Sequence, residues 1–156
     1  MTVHGSQHFL SANQFLTCSC APIFDPHGQV IGALDVTGDH RSYHHHTLAL
    51  VRMSAQMIEN HMFGDVFHNA VRIHFHARPE FMGTLVEGIA VFSVEGRFLS
   101  ANRSAQFQLG LMLQDGVGGP KDDAGARNLF EKAAVQDHPG ALERMGLNPP
   151  PAILVK

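Results

Sequence analysis

The sequence predicts an α+β chain in which a partial antiparallel sheet leads into a long connecting helix and then into an α-α hairpin repeat. Three observations carry this expectation. Two runs of β-forming residues between Phe15 and Thr37 flank a short turn. Apolar residues then recur at spacings of three and four from Thr47 onward. Between Asn102 and Leu111 the alternation gives way to a helix, a Gly-rich turn and a second helix.

The first strand is predicted over Phe15–Phe24 and the second over Gln29–Thr37. Asp25-Pro26-His27-Gly28 joins them, with Pro suited to the second turn position and Gly to the last. Pro22 donates no ladder hydrogen bond and is therefore expected at an edge or a bulge. A polar loop follows to His46. The next helix starts near Thr47 and carries Leu50, Val51, Ser54, Met57, Ile58, His61 and Met62 as one mostly apolar stripe. Beyond Gly64 the pattern resumes through Val66, Phe67, Ala70, Val71 and His74. The segment therefore reads as one helix with a weak point or as two helices, stopped at Arg78-Pro79.

A second hairpin is predicted from Glu87–Val94 and Arg97–Ala101, with Glu95-Gly96 as a tight, primed turn. Helical signals take over at Arg103. Ala126, Leu129, Phe130, Ala133 and Ala134 mark one face of a helix that Asp137-His-Pro-Gly140 breaks. A short helical pattern restarts at Ala141, and Asn148-Pro-Pro-Pro151 ends it with an unpaired tail.

Bulk properties exclude several function classes. A net charge of −3 gives no electrostatic basis for binding nucleic acid or an acidic membrane surface. No apolar run reaches the ~20 residues that span a bilayer, and no signal-peptide layout opens the chain, so a cytoplasmic location is expected. Cys18 and Cys20 are the only cysteines. Two residues apart on a strand they share a face but are too distant for a mutual disulfide, and they read as reduced thiols of the core.

Residues with chemical potential are few. His44-His45-His46 and His74-x-His76 could ligate a metal through neutral imidazole. Three adjacent histidines cannot converge on one ion, and no carboxylate or thiol completes either set, so solvated positions are expected and no metal site is assigned. Asp35 lies between Leu34 and Val36, where strand alternation turns it to the opposite face in a structural role. Ser19, Ser42 and Ser54 lack a nucleophile setting or a base partner. Glu131 and Lys132 are adjacent and read as a solvated face. Catalytic residues and cofactors are therefore expected to be absent, and ligand-binding residues are not identifiable.

Several strings carry a resemblance. Val3-His-Gly-Ser-Gln-His-Phe9, Leu16-Thr-Cys-Ser-Cys-Ala-Pro-Ile-Phe-Asp-Pro26, Gly32-Ala-Leu-Asp-Val-Thr-Gly-Asp39 and His46-Thr-Leu-Ala-Leu-Val-Arg-Met53 resemble the GAF sensor domain of bacterial sigma-N-dependent activators, most of all the acetoin-catabolism-regulator type. His74-Phe-His-Ala-Arg-Pro-Glu80 and Glu87-Gly-Ile-Ala-Val-Phe resemble the GAF-to-PAS connection of the same regulators. Leu109-Gly110, Gly116-x-Gly118, Pro120-Lys-Asp122 and Phe130-Glu-Lys-Ala-Ala134 resemble one Sel-one-like repeat, a relative of the tetratricopeptide repeat.

The resemblance implies a division into the C-terminal part of a GAF-like domain (1–63), a connecting helix or linker (64–84), the start of a PAS-like hairpin (85–105), a Sel-one-like helical repeat (105–147) and a tail (148–156). Ala101–Ala105 fits both the hairpin exit and the repeat, as at a recombination point. The function implied is regulatory: a non-enzymatic signal-input fragment of a sigma-N-dependent activator. The sequence shows neither the phosphate loop of the ATPase nor a basic-flanked helix-turn-helix. The alternative is a protein–protein interaction adaptor that uses the helical repeat. Expected partners are other protein domains, reached through the repeat or the connecting helix, and a homodimer is compatible with the sequence. Direct nucleic-acid and membrane binding are not expected.

Overall fold

Strand β1 (Thr2–His4), absent from the sequence expectation, pairs antiparallel with β2 (Leu16–Phe24), which pairs in turn with β3 (Val30–Asp39). The computed structural model describes residues 1–42, 44 and 46–147. The predicted tail at 148–156 and the middle residue of the histidine triplet, His45, lie outside the described residues. The helix α1 (Thr47–Val66) follows, then a second three-stranded antiparallel sheet of β4 (Val71–Phe75), β5 (Gly88–Phe92) and β6 (Phe98–Ala101). Three helices complete the chain: α2 (Arg103–Asp115), α3 (Asp123–Val135) and α4 (Pro139–Arg144). The mixed α+β architecture with antiparallel sheets and several helices is as expected.

Pro22 sits beyond the reach of β1, so its side of β2 is an edge there, and a register shift follows between Ile23 and Phe24. Both hairpins close with the same turn. The amide of Gly28 donates to Asp25 O (2.9 Å) and that of Gly96 to Ser93 O (2.9 Å), and each glycine has φ +81. Among the described residues only Asp137 is a non-glycine with positive φ, so Val94 and Glu95 cannot form the primed turn that the sequence suggested. The loop is the longer kind in which a left-handed glycine follows the turn.

The helix corrects the sequence reading in two ways. It runs unbroken through Gly64 but ends at Val66, and the proposed continuation to His74 is a strand. Val71 and Ile73 are β-branched and alternate, and all five residues of β4 find partners on β5, from Val71↔Phe92 to Phe75↔Gly88. His74 and His76 therefore belong to a strand and its exit, not to a helix end. The buried seam of α1 is Val51, Ala55, Glu59 and Phe63, spaced by four. Of the predicted apolar stripe only Val51 is buried, while Leu50, Ser54, Met57, Ile58 and His61 face solvent. Periodicity alone finds a helix face but does not say which of two adjoining faces meets the core.

Helix α1 serves both sheets. Toward its start, Val51 and Ala55 pack with Ala21 of β2, with Ile23 and Leu34 beside them. Toward its end, Phe63 packs with Ile89 and Val91 of β5. A third cluster joins Ala133 and Ala134 of α3 to Ala141 and Leu142 of α4, with Phe107 of α2 against it. Gly110 explains how closely α2 and α3 approach. A Cβ there would lie 2.6 Å from Cε1 of Phe130, so only glycine admits the ring.

Candidate functional site

The polar residues with the most structural consequence lie where α1 meets β2, β6 and α2. Glu59 is on the buried seam of α1 and is 6% exposed. One carboxylate oxygen accepts the Phe24 amide at the end of β2 (3.1 Å), and the other pairs with Nη2 of Arg103 in the first turn of α2. The Arg103 guanidinium also lies over the Phe24 ring, 5.9 Å from its centroid. Burial pushes the Glu59 carboxyl above its ordinary pKa, outweighing the Arg103 charge and the Phe24 amide bond that pull it down.

At the next position, Asn60 Oδ1 accepts from Asn102 Nδ2 (3.1 Å). Asn102 is the N-cap of α2, and its side-chain oxygen accepts from Ala105 N (2.8 Å) and from Ile89 N (3.0 Å). Its amide nitrogen also donates to Glu87 O (3.0 Å). Ser100 of β6 donates its hydroxyl to Pro26 O in the first hairpin turn. Two adjacent residues of α1 thus hold the first sheet, the second sheet and α2 in one buried network. A groove of about 250 Å³ opens beside it, lined among others by Phe24, Arg52, Met53, Gln56, Arg103 and Asp137.

His138, the N-cap of α4, stacks on Phe107 with ring centroids 4.5 Å apart. Burial, and then the Arg103 charge, lowers its pKa to about 4.

The residues singled out from sequence are placed as follows. Strand alternation turns Thr17, Ser19 and Ala21 inward, so Cys18 and Cys20 are half-buried free thiols on the other face, not core residues. Cys18 Sγ lies 3.2 Å from Thr37 Oγ1, and Thr37 donates to the exposed Asp35 carboxylate (2.8 Å). Asp35 faces outward as expected. His44 and His46 are exposed. His74 pairs with Glu87 (2.9 Å), which also accepts the Gly83 amide (2.7 Å). Burial opposes ionisation of Glu87, but the Gly83 amide and His74 together hold its pKa below the ordinary value. Among the described residues, no three His, Cys, Asp or Glu side chains are placed to hold a metal ion. No described helix is long and apolar enough to cross a membrane.

Sequence reasoning missed Glu59, Asn60, Asn102 and Arg103. A signal was present in each pair. Glu59 interrupts a Val51-Ala55-x-Phe63 seam at four-residue spacing, and Asn102 precedes a helical pattern as caps do.

The scaffold is a long helix shared by two antiparallel sheets and tied to α2 by the Glu59–Arg103 ion pair. Its first part is similar to a known sensor domain: the GAF domain family matches residues 1–62. The chain is 30% identical over 105 residues to a signal-transduction and transcriptional-control protein of Clostridium beijerinckii, a match covering 67% of this chain and 17% of that protein. It is 30% identical over 123 residues to the acetoin catabolism regulatory protein of Cupriavidus necator, covering 76% of this chain and 18% of that protein. An uncharacterised 47.3 kDa protein of Rhodococcus erythropolis is 36% identical over 61 residues, covering 38% of this chain and 14% of that protein. The chain thus spans less than a fifth of the length of these relatives. No solved structure matches it.

Proposed function

We propose that this chain is a regulatory signal-input element in which α1 relays the state of the first sheet to α2. The observation that carries this reading is Glu59, which holds the end of β2 with one oxygen and the start of α2 with the other. A displacement of α1 against the sheet would break one of these bonds or carry α2 with it. The similarity of residues 1–62 to GAF domains and of the wider chain to regulatory proteins supports the same reading.

The finer form of the proposal is an input segment of a sigma-N-dependent activator, non-catalytic and divided near residues 63, 84 and 105. It rests on the strings shared with that regulator type. The experiment is amide hydrogen exchange on the wild type and on Glu59→Gln. A relay requires faster exchange both at the end of β2 and in the first turns of α2, with both sheets still protected. A change confined to residues around position 59 would remove the relay.

The helices α2 and α3 favour a second reading, a protein-interaction surface of the Sel-one-like kind. The apolar face of α3 neither docks on the first sheet nor stands free. Ala126, Phe130, Ala133 and Ala134 are buried, with Phe130 against Gly110 of α2 and Ala133 and Ala134 against α4. A paired-helix unit held to the second sheet by the Asn102 cap would then present its outer surface to a partner domain.

A further inference from the structure

We infer that Cys18 and Cys20 form a two-coordinate site for a soft monovalent metal ion, copper(I), on the outer face of the first sheet. Both thiols are free and half-buried. They stand two residues apart on β2, on the face turned away from α1. β2 is the central strand, paired with β1 at Val3↔Cys18 and with β3 along its whole length. The Cys20 amide donates to Met1 O (2.9 Å), and the Cys20 carbonyl accepts from the N-terminal ammonium (2.8 Å). The backbone under both thiols is therefore fixed before any ion arrives.

Spacing decides what the pair can hold. Cα atoms two residues apart on a strand are about 6.7 Å from each other, with their side chains running side by side. A disulfide needs its sulfurs about 2 Å apart and its Cβ atoms within about 4.5 Å, which a strand does not offer at this spacing. Two thiolates on opposite sides of one ion need sulfurs only about 4.5 Å apart, given a metal–sulfur bond of ~2.3 Å. Rotation about the side-chain bonds brings the sulfurs to that separation without moving the strand.

Donor chemistry selects the ion. Thiolates are soft ligands and favour copper(I) over hard cations. Zinc in a structural site takes a closed set of tetrahedral protein ligands. Among the described residues no third His, Cys, Asp or Glu joins the two thiols. The carboxylate nearest in register, Asp35 opposite Cys20, is engaged by Thr37, which donates to it (2.8 Å). With the Thr37 proton so used, the Cys18 thiol is the donor to Thr37 Oγ1 (3.2 Å). Binding breaks two S–H bonds and forms two Cu–S bonds. Two protons leave to solvent for each copper(I) taken up, and nothing is oxidised or reduced. The site does not depend on α1 acting as a relay.

Anaerobic titration of the full 156-residue chain with copper(I), against a chromogenic copper(I) chelator, tests this. One ion per chain is expected, with two protons released and a thiolate-to-copper absorption band in the ultraviolet. Losing an outer partner of a metal ligand already costs about 10–100-fold in affinity, so Cys18→Ser and Cys20→Ser should each cost more than about a hundredfold. Serine is close in shape to cysteine, and an unchanged circular-dichroism melt confirms that the fold is kept. Micromolar zinc should leave both thiols open to a thiol reagent. Because the chain holds twelve histidines, the Cys18→Ser, Cys20→Ser double variant is the control for binding through imidazole. Equal copper(I) affinity in that double variant, or a wild type that takes no ion from the chelator, would overturn the proposal. So would protection of both thiols by zinc, or a loss of about tenfold or more in Asp35→Asn, which would make the carboxylate a ligand.

Discussion

Two carboxylate–guanidinium pairs in this molecule have the same chemistry and opposite behaviour. Asp39 and Arg41 meet at the exposed end of β3 with Nη2–Oδ2 at 2.6 Å. The side-chain hydrogen bond from Arg41 holds the Asp39 carboxyl well below the usual range. Glu59 and Arg103 meet in the interior, yet burial holds the Glu59 carboxyl above its ordinary value. Desolvation, not the partner, decides the sign. The exposed pair is free to form and break in water, and contributes little to the fold. The buried pair is a liability unless both members are present, because each is the other's only charged compensation for lost hydration.

Breaking the buried pair from one side should produce the largest effect. Arg103→Met leaves Glu59 in place without its cation, and unfolding in urea at pH 7 should show a loss of about 3–5 kcal/mol. A loss below 1 kcal/mol would mean that water reaches the carboxylate and that the two pairs do not differ in kind.

The next effect sharpens the comparison by using a third group near Arg103. The folded-state pKa of His138 is about 4 against an ordinary 6.5. Between these values the unfolded chain binds a proton that the folded chain refuses. Stability from this group is therefore complete above about pH 6.5 and is lost as the pH falls toward 4. The loss should reach about 2–3 kcal/mol. His138→Asn, which keeps a capping side chain, should flatten the unfolding midpoint over that range.

A smaller effect comes from removing both members of the buried pair. Glu59→Leu with Arg103→Met should recover about 2 kcal/mol of the loss caused by Arg103→Met alone. A strictly additive double variant would show instead that the pair acts through packing on Phe24. The smallest effect belongs to the exposed pair: Arg41→Gln should leave the thermal unfolding midpoint unchanged at physiological salt.

Much of the fold was legible in the sequence because its signals are local. Asp25-Pro-His-Gly28 and Glu95-Gly96 mark chain reversals whatever surrounds them, and both hairpins stand where those residues put them. Asn102 begins a helix at the predicted change of pattern, whereas α4 starts at Pro139, inside the Asp137–Gly140 segment read as a break with the helix restarting only at Ala141. The errors share one cause. Val71–Phe75 fits a continued helix as well as a strand, and pairing with β5, a distant segment, settled it. Cys18 and Cys20 alternate with Thr17, Ser19 and Ala21, and only the position of α1 decides which set is buried.

The candidate site was less legible than the fold. Glu59 and Arg103 are 44 residues apart, and Pro26 and Ser100 are 74 apart. Nothing in the composition of either neighbourhood signals the other. The sequence by itself determined the two hairpin reversals and the helix change beyond Asn102, because these depend on backbone preferences within a few residues. Only the tertiary structure decided which face of α1 meets the core and that one helix carries both sheets. It alone made Glu59 a buried, Arg-dependent carboxylate, because burial depends on what the rest of the chain brings alongside.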